Sequence, residues 1–77
     1  MKLPRNVNAD TLIRVLTQYG YGITRQPGSH IRLTRQGEIH NITIPNHSPV
    51  KIGTLHKIIK DVCSANKLDI SDFVKKL

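Results

Sequence analysis

Between positions 20 and 45 the chain meets a turn signal every eight or nine residues: Gly20, Pro27-Gly28, Gln36-Gly37 and Pro45. That spacing leaves room for short strands and for no helix of ordinary length. The intervals are residues 21–26, 30–35 and 39–44. A half-buried strand alternates apolar and polar residues, because successive side chains point to opposite faces of the sheet. Ile31 and Leu33 therefore share one face, with His30, Arg32 and Thr34 on the other. Ile42 and Ile44 likewise share a face, with Asn41 and Thr43 opposite.

On either side the apolar period changes from two to three or four. Leu12, Ile13, Leu16 and Tyr19 form one stripe of a helix that Asn8 caps and that runs to about Tyr19. Gly20 supplies the left-handed turn that stops it. After the loop Asn46-His47-Ser48-Pro49, a second helix starts near Gly53 or Thr54, with Leu55, Ile58, Ile59 and Val62 as its apolar stripe and Lys57 and Lys60 exposed. Asn66 is its expected stop, and Ser71 caps a last helical turn carrying Phe73, Val74 and Leu77. The expected fold class is α+β in the order α-β-β-β-α. Its antiparallel sheet of three strands carries two helices on one face and is followed by a short helical tail. The 77 residues make a single domain with a small core. The open face then displays His30, Arg32, Thr34, Thr24, Asn41 and Thr43.

Charge narrows the partners. Twelve Lys and Arg against five Asp and Glu leave a net +7, a field that attracts polyanions such as nucleic acid or an acidic protein. No run is apolar enough to span a bilayer, so no membrane partner is expected. The first residues, Met-Lys-Leu-Pro-Arg-Asn, lack the apolar stretch of a secretion signal, and the single Cys63 fits a reducing compartment. Cytoplasm is the expected location. The aromatics Tyr19, Tyr21 and Phe73 fall mostly at apolar-stripe positions, so the open face has no platform for stacking bases. If the polyanion is RNA, the expected grip is by phosphate and 2′-OH contacts with weak sequence preference.

Several chemistries are disfavoured. The acids Asp10, Glu38, Asp61, Asp69 and Asp72 scatter over different elements, and His30, His40, His47 and His56 show no ligand spacing. No metal or cofactor is expected. Cys63 sits beside the Val62 stripe and reads as a buried structural thiol. His40 shares parity with Ile42 and Ile44 and reads as partly buried, whereas His56 is a plain surface residue. A lone strand histidine such as His30 is, on residue pattern alone, more often polar surface than catalytic.

The order of short motifs adds to this reading. Tyr19-Gly20-Tyr21, Arg25-Gln26, Gly28-Ser29-His30, Ile44-Pro45-Asn46-His47, Gly53-Thr54-Leu55 and Ile58-Ile59 follow one another over roughly residues 8 to 65. In order and spacing they resemble the HicA (YcfA-like) toxin family of type II toxin–antitoxin systems. The resemblance implies a double-stranded-RNA-binding-domain-like fold and mRNA interferase activity, and it implies a HicB antitoxin that covers the active face. It also implies that His30, in the Gly-Ser-His motif, is the catalytic histidine. The segment from 66 to 77 is longer than in the shortest members, which leaves its role open.

Such chemistry needs no metal. RNA carries its own nucleophile, the ribose 2′-OH, and imidazole titrates close enough to neutrality to take or give that proton. Arg25 and Arg32 are the candidate cations for the charge that develops on phosphorus, and the Pro27-Gly28-Ser29 turn is the candidate source of backbone N–H donors. His47 is a candidate phosphate contact or second acid. Lys57, Lys60, Lys67, Lys75 and Lys76 are either a solvated face or a phosphate track. The main rival is a non-catalytic double-stranded-RNA-binding module; a second is a basic protein that only docks an acidic partner. A helix-turn-helix is disfavoured, since three strands separate the helices.

Overall fold

The computed structural model describes residues 4–26, 28–37, 39–47 and 49–77. Pro27 of the first turn, Glu38 of the second hairpin, Ser48 of the following loop and the first three residues lie outside the described residues. The elements run α1 (Ala9–Gln18), β1 (Tyr21–Arg25), β2 (His30–Arg35), β3 (His40–Pro45), α2 (Ile52–Asn66) and α3 (Ile70–Lys75). The sheet order is β1-β2-β3, antiparallel throughout. This is the α-β-β-β-α arrangement of the double-stranded-RNA-binding-domain-like fold.

The apolar stripes meet on one side of the sheet. Ile31, Leu33, Ile42 and Ile44 are buried against Leu12, Val15 and Leu16 of α1 and Leu55, Ile58, Ile59 and Val62 of α2. On α1 the buried stripe is centred one position away from the expected one, on Leu12, Val15 and Leu16, with Ile13 and Tyr19 at its margin. The opposite face of the sheet stays open. There Thr24 Oγ1 lies 3.1 Å from Thr34 Oγ1, which donates to Asn41 Oδ1 at 2.7 Å, a hydrogen-bonded row across all three strands.

Helix ends differ from expectation in their chemistry. Asn8 holds the N-cap position of α1, but its side chain makes no cap bond; the first helical bond runs from Leu12 N–H to the Asn8 carbonyl at 3.1 Å. Gly20, with φ +93°, ends the turn beyond α1 as expected. α2 starts at Ile52, ahead of Gly53, and Asn66 belongs to it. The left-handed stop falls on Lys67 at φ 54°, because the Asn66 side chain is engaged inside the fold. The cap of α3 is Asp69 in place of Ser71: its carboxylate accepts from Ser71 N–H at 2.7 Å and Asp72 N–H at 3.4 Å.

The strand ends also shift. β1 closes at Arg25, and β3 begins at His40 and includes Pro45. Proline is tolerated there for a geometric reason. Asn46 N–H donates to the Ser29 carbonyl at 2.7 Å, and hydrogen-bonded and non-bonded pairs alternate along an antiparallel ladder. The register His30–Pro45, Ile31–Ile44, Arg32–Thr43 therefore turns the peptide groups of Asn41, Thr43 and Pro45 outward, to the free edge of β3. Pro45 lacks only an N–H that would have pointed away from β2.

One polar network ties α2 to the sheet. Tyr21, 1% exposed, accepts through its hydroxyl from Asn66 Nδ2 at 2.8 Å. The second Asn66 proton goes to the Val62 carbonyl at 2.8 Å. The Tyr21 hydroxyl thus donates to His40 Nδ1, 2.6 Å away, which leaves the His40 Nε2–H facing Asp61 Oδ1 at 3.4 Å. His40 is half-buried, in keeping with its parity. Tyr21→Phe keeps the volume but leaves His40 Nδ1 and one Asn66 N–H unpaired. Its expected cost is about 1–3 kcal/mol of unfolding free energy, read from urea titration; a change below about 0.5 kcal/mol would show the network to be idle.

Candidate active site

His30 opens β2 and pairs with Pro45, and its side chain is exposed on the open face. It sits between two fastened rungs. The Asn46–Ser29 bond lies on one side and the Ile31–Ile44 pair on the other, so the backbone carrying the imidazole is fixed while the ring is free. Just before it, Gly28 has φ +59° and open space where a Cβ would lie, so the Gly28-Ser29 backbone is open to a ligand.

Arg32 lies two residues further along the same face, about 6.6 Å away along the strand. Opposite it on β1 stands Arg25. Alternation alone would have put Arg25 with Tyr21 and Ile23 on the helix side. A β-bulge between Ile23 and Arg25 slips the register by one residue and brings Arg25 across from Arg32 instead. Like charges directly opposite each other on a sheet are destabilising. Among the described residues neither arginine has an ion pair. A pair of that kind is relieved when an anion bridges it.

A groove of about 320 Å³ starts at His30 and runs between the free edge of β3 and α2. Its floor is apolar, from Ile42, Pro45 and Ile58. Asn41 and Thr43 form one wall; Thr54, Lys57 and Asp61 of α2 form the other. His30 therefore stands where the cationic open face meets the groove. His47 is exposed in the loop beyond Pro45, its N–H on the Pro45 carbonyl at 2.8 Å, and is not part of the lining. His56 is exposed on α2. The α2 wall was not anticipated from the sequence. Its signal was present, since Thr54, Lys57 and Asp61 recur at three and four residues on one helical stripe.

Other chemistries find little support. Among the described residues, no group of three or more His, Cys, Asp or Glu side chains converges on a point. Cys63 is buried, and burial, with the negative charge of Asp69 adding to it, pushes its thiol above the ordinary range, the reverse of what a nucleophile needs. No helix among the described residues is long and apolar enough to cross a membrane.

A family model described as "HicA toxin of bacterial toxin-antitoxin" matches residues 9–62. The chain belongs to the HicA toxin family. No curated protein and no solved structure matches it. The match takes in α1, the whole sheet and α2 as far as Val62, and so includes His30, Arg25, Arg32 and both walls of the groove. Residues 4–8, the end of α2 and α3 lie beyond it, and α3 is part of the segment of this HicA chain whose role was open. It closes the core: Phe73 is fully buried and stacks on Tyr19, ring centres 5.5 Å apart. Lys76 Nζ covers the Tyr19 ring, 5.4 Å from its centre.

Proposed function

We propose that this HicA toxin is a metal-independent endoribonuclease that cleaves mRNA by histidine acid–base chemistry at His30. The observation that carries the reading is the bulge-made pair Arg25–Arg32, two cations with no ion pair among the described residues, beside an exposed imidazole on an open sheet. In the proposed reaction the ribose 2′-oxygen attacks the adjacent phosphorus and the 5′-oxygen leaves, giving a 2′,3′-cyclic phosphate. His30 takes the 2′-OH proton or supplies one to the leaving oxygen, and solvent water makes the other transfer. Arg25 and Arg32 stabilise the extra charge on the phosphoryl oxygens, and the Gly28-Ser29 backbone offers N–H donors to the same group. His47, in the loop after β3, is a phosphate contact from outside the groove.

The same surface suits neutralisation. A HicB-type antitoxin presenting acidic side chains to Arg25, His30 and Arg32 would exclude RNA by occupancy, and opposite charge would speed the encounter.

The mechanism is tested with purified toxin and end-labelled RNA. Cleavage is expected to persist in excess chelator and to fall below detection when the scissile nucleotide is 2′-deoxy. Chelator sensitivity, or products ending in 3′-hydroxyl and 5′-phosphate, would refute it. RNA binding without turnover under all these conditions would instead identify a double-stranded-RNA-binding module.

A further inference from the structure

We infer that the groove between β3 and α2 is a nucleoside site, which seats the base of the nucleotide adjoining the phosphate at His30 and discriminates against uracil. The inference rests on the proposed role of His30 for its position and goes beyond it in giving the toxin a base preference.

Size and lining point to one base. About 320 Å³ is at the small end of cavities that hold a compact organic molecule, roughly 300–1,000 Å³. The floor of Ile42, Pro45 and Ile58 takes the flat face of a heterocycle, and the walls meet its polar edge. Along β3 the outward peptide groups supply the N–H and carbonyl of Asn41 and Thr43, a donor–acceptor row at a fixed spacing. Opposite them stands the Asp61 carboxylate, at the side chain more than half exposed and in weak contact with His40 Nε2 at 3.4 Å. Tyr21 holds that histidine in place.

A carboxylate accepts and does not donate, so it favours a base with an exocyclic amino group. Cytosine, adenine and guanine have one; uracil has none, and its one base donor is the ring N3–H. Lys57, one helical turn before Asp61, lines the same wall. An acidic peptide strand paired to the β3 edge is the competing occupant, and Asp61 opposes it by like charge.

The test is chemical-shift titration of the ¹⁵N-labelled full chain with the four nucleoside 3′-monophosphates, inorganic phosphate and a short poly-glutamate peptide. The cytidine, adenosine and guanosine nucleotides are expected to shift the amides of Asn41, Thr43, Lys57 and Asp61. Inorganic phosphate is expected to shift only residues around Gly28, His30 and Arg32. Uridine monophosphate should bind about tenfold more weakly than cytidine monophosphate, the factor of one charge-assisted hydrogen bond. Asp61→Asn, which keeps an oxygen for His40 Nε2–H, should reduce that difference to less than twofold with the spectrum otherwise unchanged. The inference is overturned if nucleotides shift only the open face, if all four bind alike, or if the peptide alone moves the groove amides. Because binding is read without cleavage, groove shifts alongside a fully active His30→Ala toxin would refute the proposed mechanism and leave the nucleoside site standing.

Discussion

Replacing His30 with Ala is expected to lower RNA cleavage by roughly 10²–10⁴-fold, the contribution of a positioned acid or base, or about 3–5 kcal/mol of barrier. The same change should leave folding within about 0.5 kcal/mol of wild type. His30 is exposed, and its side chain makes no hydrogen bond among the described residues, so nothing in the core depends on it. The backbone that carries it is fastened through Ser29 and Asn46, which the substitution does not touch. Single-turnover cleavage and thermal unfolding, run on one preparation, separate chemistry from stability. An Ala variant that cleaves at the wild-type rate ends the assignment of His30. If RNA affinity falls in step with the rate, His30 is a binding group and the residue doing the chemistry lies elsewhere.

Phe73→Ala is expected to be the most damaging single change to stability, at about 3–5 kcal/mol. A chain of this length holds only roughly 4–12 kcal/mol in total, so the midpoint of thermal unfolding should fall by at least about 12 °C. Phe73 has no exposed surface, and its ring stacks on Tyr19 with an interplanar angle of 18°. Around it Leu68, Ile70, Val74 and Leu77 pack on the core. Phe73→Leu should recover most of the loss by restoring volume. A midpoint shift of under 3 °C for Phe73→Ala would show that α3 is an appendage and that the core is complete at α2.

Much of the architecture was legible because it follows from period. The switch from helical to alternating spacing and back marked all five main elements, and the β2 boundaries matched, since turn residues flank His30–Arg35 on both sides. The site was legible in part. His30, Arg32, Asn41 and Thr43 lie on the face that parity assigns them. Capping was not: whether Asp69 or Ser71 satisfies the first N–H groups of α3 depends on loop direction, which the residue types leave open. The hydroxyl of Tyr21 was equally silent, because an aromatic on an apolar stripe reads as core, and its partners His40 and Asn66 are 19 and 45 residues away.

By itself the sequence determined the order of elements, the apolar face of the sheet, the basic character of the domain and the exposure of His30. All of these are set by local periodicity and charge. Only the tertiary structure decided where Arg25 points and that a groove leads away from His30. The first depends on a one-residue slip between β1 and β2 after Ile23, whose position follows from how the two strands pair. The second depends on how α2 lies along the edge of β3. That placement comes from side chains packing across the core, and no window of neighbouring residues contains it.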